Sequence, residues 1–342
     1  MLHTLSKRAY LGVHAPLITN VKEEPMRFRQ LEYFVAVARE RHFARAAAAC
    51  HVSQPALSAA INRLEQELNV SLINRGHTFE GLTPEGERLV IWAKRILAEH
   101  DAFKAEVQAV QSGVTGVLRL GVVPSASTTI ALVVAAFCAA HPLAKVQIKS
   151  GLSAAEISRR LRNFELDAGV TYLDDGEDPR LFFVPLYEER YVLIASDELL
   201  PEIPATMTWR QASALPLAVL TTEMRSRQVI DDAFSQNQIR MEPQVETDSI
   251  ASLHAHMKTG QWASIVPHSW VQTITPSSRT RIVPLVDPVA TARVAAAISP
   301  ASPGSVTARA FAAVAARLSL GELFDRGLSS IVPEAPATRL AD

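Results

Sequence analysis

Gln54 and Ser58 stand four residues apart, and Arg63 follows about one turn later. On a helix, residues four apart share a face. Gln can pair with two edge atoms of adenine, Ser can donate or accept, and Arg can hold phosphate. Such a face has the chemistry to read duplex DNA from the major groove. Ser53 is a good N-cap, and Pro55 falls in the first turn, where a missing amide hydrogen costs little. Leu57, Ile61, Leu64 and Leu68 recur at helical spacing, which leaves Gln54, Ser58, Asn62 and part of Ala59 outward. A small bundle with a polar face has the same spacing, so this helix alone does not separate a DNA reader from a structural element.

Other reactive side chains are sparse. His254 and His256 are two apart and point to different sides of a helix, a poor metal pair. Cys50 and Cys138 form no C-x-x-C pair, which argues against a zinc site and suits a reducing compartment. Cys50 reads as a buried thiol on an apolar face rather than a redox sensor. No nucleophile elbow, Walker loop or G-x-G-x-x-G occurs. The expectation is no enzyme, no metal and no cofactor.

The elements around the recognition face give it a context. Leu31, Phe34, Val35 and Ala38 make one apolar helix face, and a second helix runs from Phe43 to about Cys50. Together with the helix from Ser53 these form a helix-turn-helix. Leu72 to Arg75, the turn Gly76 to Gly81 and the return at Leu82 form a wing, and Thr83 with Pro84 opens a new helix. The residues Leu31-x-x-Phe34, Ala46-Ala47, Val52-Ser-Gln-Pro-Ala-Leu-Ser58, Ile61-x-x-Leu64-Glu65, Arg75 and Leu82-Thr83-x-x-Gly86 resemble the N-terminal signature of the LysR-type transcriptional regulators. The resemblance implies that Gln54, Pro55 and Ser58 line the recognition helix and that Arg75 holds phosphate at the wing. The expected DNA-binding set is therefore Ser53, Gln54, Pro55, Ser58, Arg63 and Arg75. Three positions depart from the family pattern. Ala59 replaces a long polar residue, His77-Thr78 replaces an arginine-bearing wing tip, and Asn69 replaces a glycine in a turn that Asn can also adopt.

From Pro84 to Gly113 only Gly86 interrupts a helical run. Leu89, Ile96, Phe103 and Val110 recur every seven residues, with Ala93, His100 and Val107 offset by four. That is the seam of a coiled coil, with His100 as a polar register residue. A partner helix from a second copy is the simplest cover for it; packing on the C-terminal half is the alternative.

The C-terminal half alternates strands and helices, as a parallel sheet requires. Strand patterns at Val117–Val123, Lys145–Lys149 and Ala168–Tyr172 are followed by a second set from Tyr191 to Val266, and Arg293–Ile298 rejoins the first. Two lobes with two crossovers resemble periplasmic-type solute-binding proteins, the effector-binding architecture of the LysR family. Ligands of such sheets sit beyond the strands' carboxyl ends. The candidates are Ser125, Ser127, Ser153, Thr221 and Thr222, where free helix amides would favour an anion such as a carboxylate. Each of them could instead be a helix cap. Trp262 to His268 carries a faint similarity to regulators of formate dehydrogenase operons.

The fold class is α+β multidomain: a winged helix-turn-helix, a coiled-coil linker helix, and a two-lobed α/β domain like the periplasmic binding proteins. The expected boundaries are an extension at 1–25 (disordered, or upstream of a true start at Met26), the DNA-binding domain at 26–83 and the linker at 84–113. Lobe I takes 114–187 with 284–325, lobe II takes 188–283, and 326–342 is a disordered tail. The chain of 342 residues has a formal charge of -1, so no global basic field marks a nucleic-acid protein. Between Met26 and Arg75, however, seven arginines face four glutamates. With no apolar run of membrane length and no export signal, the expectation is a cytoplasmic homodimer, and by resemblance a tetramer. Its expected partners are promoter DNA, a small anionic effector and RNA polymerase, with no membrane. A solute receptor without DNA function and an α/β enzyme of the prephenate-dehydratase-like kind are the competing readings.

Overall fold

The computed structural model describes residues 26–75, 79–173, 178–272, 279–300 and 304–329. The expectations placed on 1–25, on the wing tip His77-Thr78 and on 330–342 lie outside these residues. The chain divides into two compact units that part between Ala93 and Lys94.

The first unit comprises α1 (Phe28–Glu40), α2 (Phe43–Ala49), α3 (Gln54–Leu68), the antiparallel pair β1 (Ile73–Arg75) and β2 (Phe79–Leu82), and the start of α4 (Pro84–Ser112). Its core is Phe34, Val37, Ala46, Leu57, Ile61, Leu64 and Leu72, all buried. Each large apolar side chain here contributes about 1.5–3 kcal/mol. Ser53 Oγ accepts from Ala56 N at the start of α3, and Asn69 ends that helix in the left-handed region (φ 49°, ψ 40°). Glu65, in the middle of the signature, accepts from the amides of Leu72 (2.8 Å) and Ile73 (3.2 Å), tying α3 to the entry of the wing. Thr83 Oγ1 caps α4 through Gly86 N (2.9 Å) and donates to Ser71 O (2.6 Å). Gly86 must be glycine, because a Cβ there would lie 2.0 Å from Leu72 O.

The second unit opens with β3 (Gly116–Val122), the 3-10 turn Pro124–Ser127, α5 (Ile130–Ala140), β4 (Ala144–Ser150), α6 (Ala154–Arg162) and β5 (Ala168–Tyr172). Strands β4, β3 and β5 are parallel neighbours. Next come β6 (Phe182–Ser196), β7 (Met207–Thr208), α7 (Trp209–Ala212), β8 (Ala218–Leu220), α8 (Arg225–Gln236), β9 (Val245–Thr247), α9 (Ile250–Lys258) and β10 (Ser264–Pro267). A second 3-10 turn, His268–Gln272, precedes β11 (Thr280–Val286), β12 (Thr291–Ile298), α10 (Val306–Ala315) and α11 (Leu320–Ser329). The strand order is β4-β3-β5-β12-β6-β11-β7, with β10 also on β6 and the β8–β9 pair joined through a Leu217–Ala263 bridge.

Strand β6 is where the two lobes meet. Residues 182–190 pair with β12, and 191–196 pair with β10 and β11. The crossing thus falls at Arg190–Tyr191, and the return lies between Val286 and Thr291. The sequence pattern starts this strand only at Tyr191, leaving Pro185 before it. Pro185 instead lies within the strand, where the register slips between Val294 and Ala295, so its missing N–H falls at a bulge.

The tail expectation needs a second correction. Residues 326–329 are helical, as the end of α11. Leu320 and Phe324 are buried on one face and Leu328 packs against a second apolar cluster. That i, i+4, i+8 stripe gives the last helix its anchor.

Candidate nucleic-acid interface and effector cleft

The two inward turns of α3 fix what points outward. With Leu57, Ile61 and Leu64 fully buried, residues Ser53, Gln54, Pro55, Ala56, Ala59, Asn62 and Arg63 are exposed and Ser58 is half-buried. The start of α3 is thus accessible, but Pro55 has no N–H and the amides of Ala56 and Leu57 are taken by Ser53 Oγ and Ser53 O, so any pull on phosphate there comes from the helix dipole. Arg63 Nε turns back toward Ala59 O at 3.5 Å, so its guanidinium is not committed to another side chain by that bond. Arg75 is placed by its backbone as the last residue of β1. Exposed Ala59 offers only a methyl group at the middle of the face, enough for a thymine methyl but not for a base hydrogen bond.

On the linker seam the structure separates two groups. Ala93 is buried and Leu89, Ile96 and His100 are half-buried, whereas Phe103, Val107 and Val110 are 68%, 45% and 83% exposed. The last three stand at i, i+4 and i+7 on one face of α4. A face this apolar needs cover.

At the lobe junction the expected effector residues take unequal places. Ser125 is 1% exposed. Its hydroxyl lies 2.5 Å from Tyr172 OH, and Tyr172 OH donates to Glu189 Oε2 at 3.2 Å. Tyr172 has one proton, spent on Glu189, so Ser125 donates to Tyr172 and keeps only acceptor capacity. The backbone oxygen of Ser125 accepts from Trp270 Nε1 across the junction (2.8 Å). Beside it, Thr129 Oγ1 bonds Tyr187 OH (2.9 Å). Burial, reinforced by the Glu189 charge, holds the Tyr172 and Tyr187 hydroxyls well above the usual phenol range. The neutral hydroxyls of Thr128 and Thr171 are buried without a hydrogen-bond partner among the described residues.

Ser127 is half-buried at the end of its 3-10 turn. Ser153 is exposed and works as a cap: its Oγ accepts from Glu156 N (3.2 Å), while the Glu156 carboxylate accepts from Ser153 N (3.2 Å). That bond to the backbone holds Glu156 below the usual carboxylate range. The place a bound anion would take at this helix start is filled by the chain's own carboxylate. Thr221 stands in a similar way to Glu223, whose carboxyl is lowered by its own backbone amide and by the Thr221 hydroxyl. Exposed Thr222 gives its carbonyl to Gln228 Nε2 (3.2 Å). The structure therefore brings Ser125 into a junction cluster with Tyr172, Tyr187, Glu189 and Trp270, and leaves Ser153 outside it as a cap.

Residues 28–87 match the bacterial regulatory helix-turn-helix of the lysR family, and residues 111–319 match the LysR substrate binding domain. The chain belongs to the LysR family. It is a DNA-binding transcriptional regulator with an effector-binding domain, and not an enzyme. The HTH-type transcriptional regulator BbuR of Bordetella bronchiseptica is 31% identical over 241 residues, 70% of this chain and 71% of that one. A probable hydrogen peroxide-inducible genes activator of Streptomyces viridosporus is 39% identical over 166 residues, 48% of this chain and 53% of that one, so the match spans about half of that relative. In fold, the regulator is similar to a full-length OxyR variant from Pseudomonas aeruginosa (TM-score 0.70, 24% identity, 87% of this chain and 97% of that one). It is also similar to full-length CbnR complexed with its target DNA (TM-score 0.60, 22% identity, 86% and 100%).

Sequence reasoning about this LysR-type chain missed Tyr172, Tyr187, Glu189, His268 and Trp270. One signal was present, the acid Glu189 close to an apolar strand. That signal was weak: Glu189 stands between Glu188 and Arg190, and only the structure shows that Glu189 is buried, and so calls for partners, while Glu188 is exposed.

Proposed function

We propose that this regulator binds promoter DNA as a homodimer, with pairs of dimers forming a tetramer, and that a small molecule between the lobes changes how it bends the DNA. The observation that carries the reading is the outward face at the start of α3, with exposed Gln54 and Pro55 and the half-buried Ser58 on it. Two such helices, held by the α4 seam, would read two half-sites of an imperfect palindrome. The lobes add control, because a ligand with unequal affinity for two lobe arrangements shifts their populations. Promoter bending costs energy that depends on the sequence bent, so specificity extends beyond the few bases touched. RNA polymerase is the downstream partner and the cytoplasm the site of action.

For the effector, a small carboxylate, formate among them, was the expectation. The geometry favours a neutral or cationic hydrogen-bonding molecule. Glu189 lies one tyrosine hydroxyl from Ser125, Glu156 fills the Ser153 helix start, and Glu223 holds Thr221. An added carboxylate at any of these would meet a like charge. Formate, acetate and benzoate should therefore leave the melting temperature unchanged against chloride of equal ionic strength, and a specific rise with any of them would restore the anion reading. The peroxide named for the Streptomyces relative is not carried over. The two cysteines lie in different units as free thiols, and burial raises the Cys50 thiol, the opposite of what a reactive thiolate needs.

The direct test of the DNA reading is a gel shift of the full chain with the region upstream of its own gene. A discrete shift that survives competitor DNA is expected. A folded dimer that gives no shift at low salt would overturn the proposal.

A further inference from the structure

Helix α11 begins one residue beyond the matched substrate binding domain, which ends at residue 319. It does not trail off the fold but lies across the junction of the two lobes. Phe324 is fully buried, and its ring packs edge-on against Tyr187 of lobe I (centroids 4.8 Å, 83°) and against His268 at the end of β10 (6.2 Å, 87°). Leu328, one turn on, joins the apolar cluster of lobe II formed by Val192, Ile194, Val266, Trp270 and Ile282. One helix thus places neighbouring side chains in both lobes.

The polar contacts converge on the crossing itself. Asp325 pairs with the Arg190 guanidinium, and Arg190 is the last lobe I residue of β6. The same carboxylate stands 3.3 Å from His268 Nε2, near but out of hydrogen-bonding alignment. His268 Nδ1 accepts from Arg190 N at 3.0 Å, which fixes the ring against the strand where the lobes change over. Gln272 Nε2 reaches Leu323 O at 3.4 Å. Gly327 gives Gln272 its room, since a Cβ there would fall 1.7 Å from Gln272 Nε2.

We propose that α11 is a clasp across the lobe junction, with Asp325 as its catch. Docked, it links Tyr187 to His268 and holds the interlobe angle. Any change of that angle must slide Phe324 between its two ring partners or break the Asp325–Arg190 pair. Buried ring contacts tolerate discrete arrangements better than gradual shear, so the clasp makes lobe turning a two-state event. The catch is the half-exposed part of the contact, with Asp325 51% exposed, so it can open without unfolding the core beneath. This device goes beyond the effector reading and holds whatever molecule occupies the cleft.

Hydrogen exchange of the full chain, without added ligand, tests it. Asp325→Ala removes an exposed carboxylate and leaves Leu320 and Phe324 to anchor the fold. Exchange should rise about threefold to tenfold in 187–192 and 268–272 as well as in 320–329, with α1–α3 and the β3–β5 strands unchanged. Ser329→Ala, which loses only a bond to Asp325 O inside the helix (2.9 Å), should leave 187–192 and 268–272 as they are. Acceleration confined to 320–329 in Asp325→Ala, or the same pattern in Ser329→Ala, would overturn the clasp.

Discussion

The hydroxyl of Ser153 can be read as a ligand contact or as a cap, and its neighbour three residues on decides. Ser-x-x-Glu is a capping box, so the role of Ser153 was legible in the chain once Glu156 was counted. Ser125 was legible only in part. Its place after the first strand follows from pattern, but Tyr172, Glu189 and Trp270 reach it from 47 to 145 residues away, and no local spacing encodes that meeting. His268 also belongs to this scale. Burial, helped by the Arg190 charge and opposed by Asp325, holds its pKa below the ordinary imidazole value. An unfolded chain then binds a proton that the folded one refuses. Stability is full above an unfolded-state pKa of about 6.5 and is lost as pH falls through it toward the folded value. His254, lowered by burial and Lys258, adds in the same direction. The melting temperature should therefore drop between about pH 7 and 5.5. His268→Asn, whose amide oxygen can replace the Nδ1 acceptor, should flatten that drop; an equal drop in both proteins would remove His268 from the explanation.

Among the elements, α3 and the wing were the most legible, because their determinants are local: Ser53, Pro55, Asn69, Thr83 and Gly86 each do a job within a few residues. Strand β6 was the least legible. Its Pro185 breaks the pattern that a sequence reader relies on, and only the bulge opposite Ala295 shows why it is tolerated. The α4 seam was legible as a period of seven, and the structure sharpens it to its C-terminal half, where Phe103, Val107 and Val110 stand exposed. If a second copy covers them, Phe103→Glu should weaken the dimer. Losing one buried Phe on each of two chains costs about 3–6 kcal/mol, a hundredfold or more in Kd. Sedimentation velocity should show monomer appearing with helix content unchanged, whereas an intact dimer would place the dimer contact elsewhere.

For the whole molecule, the family, the order of the parts and the two-lobed architecture could be read from the chain, since each rests on repeating patterns or a signature. The lobe crossing at Arg190–Tyr191 lies within a few residues of the expected boundary at 187/188 and of the second set of strand patterns that starts at Tyr191; the helix that straddles it could not be read, because its contacts come from both lobes. On the proposed reading, a DNA-binding surface with few base-reading side chains is controlled by a two-lobed domain whose junction holds Ser125, Trp270, Glu189 and their tyrosines. A reader with Ala59 at the middle of its face must draw specificity from paired sites as much as from single contacts. The central claim, that the outer face of α3 reads bases, is tested most directly by measuring binding of Gln54→Ala and Ser58→Ala to the promoter site and to random DNA of equal length, at one salt concentration. The account predicts that each variant loses roughly fivefold to a hundredfold on the promoter site, about 1–3 kcal/mol, and little on random DNA. Equal losses on both would show that the outer face of α3 does not read bases.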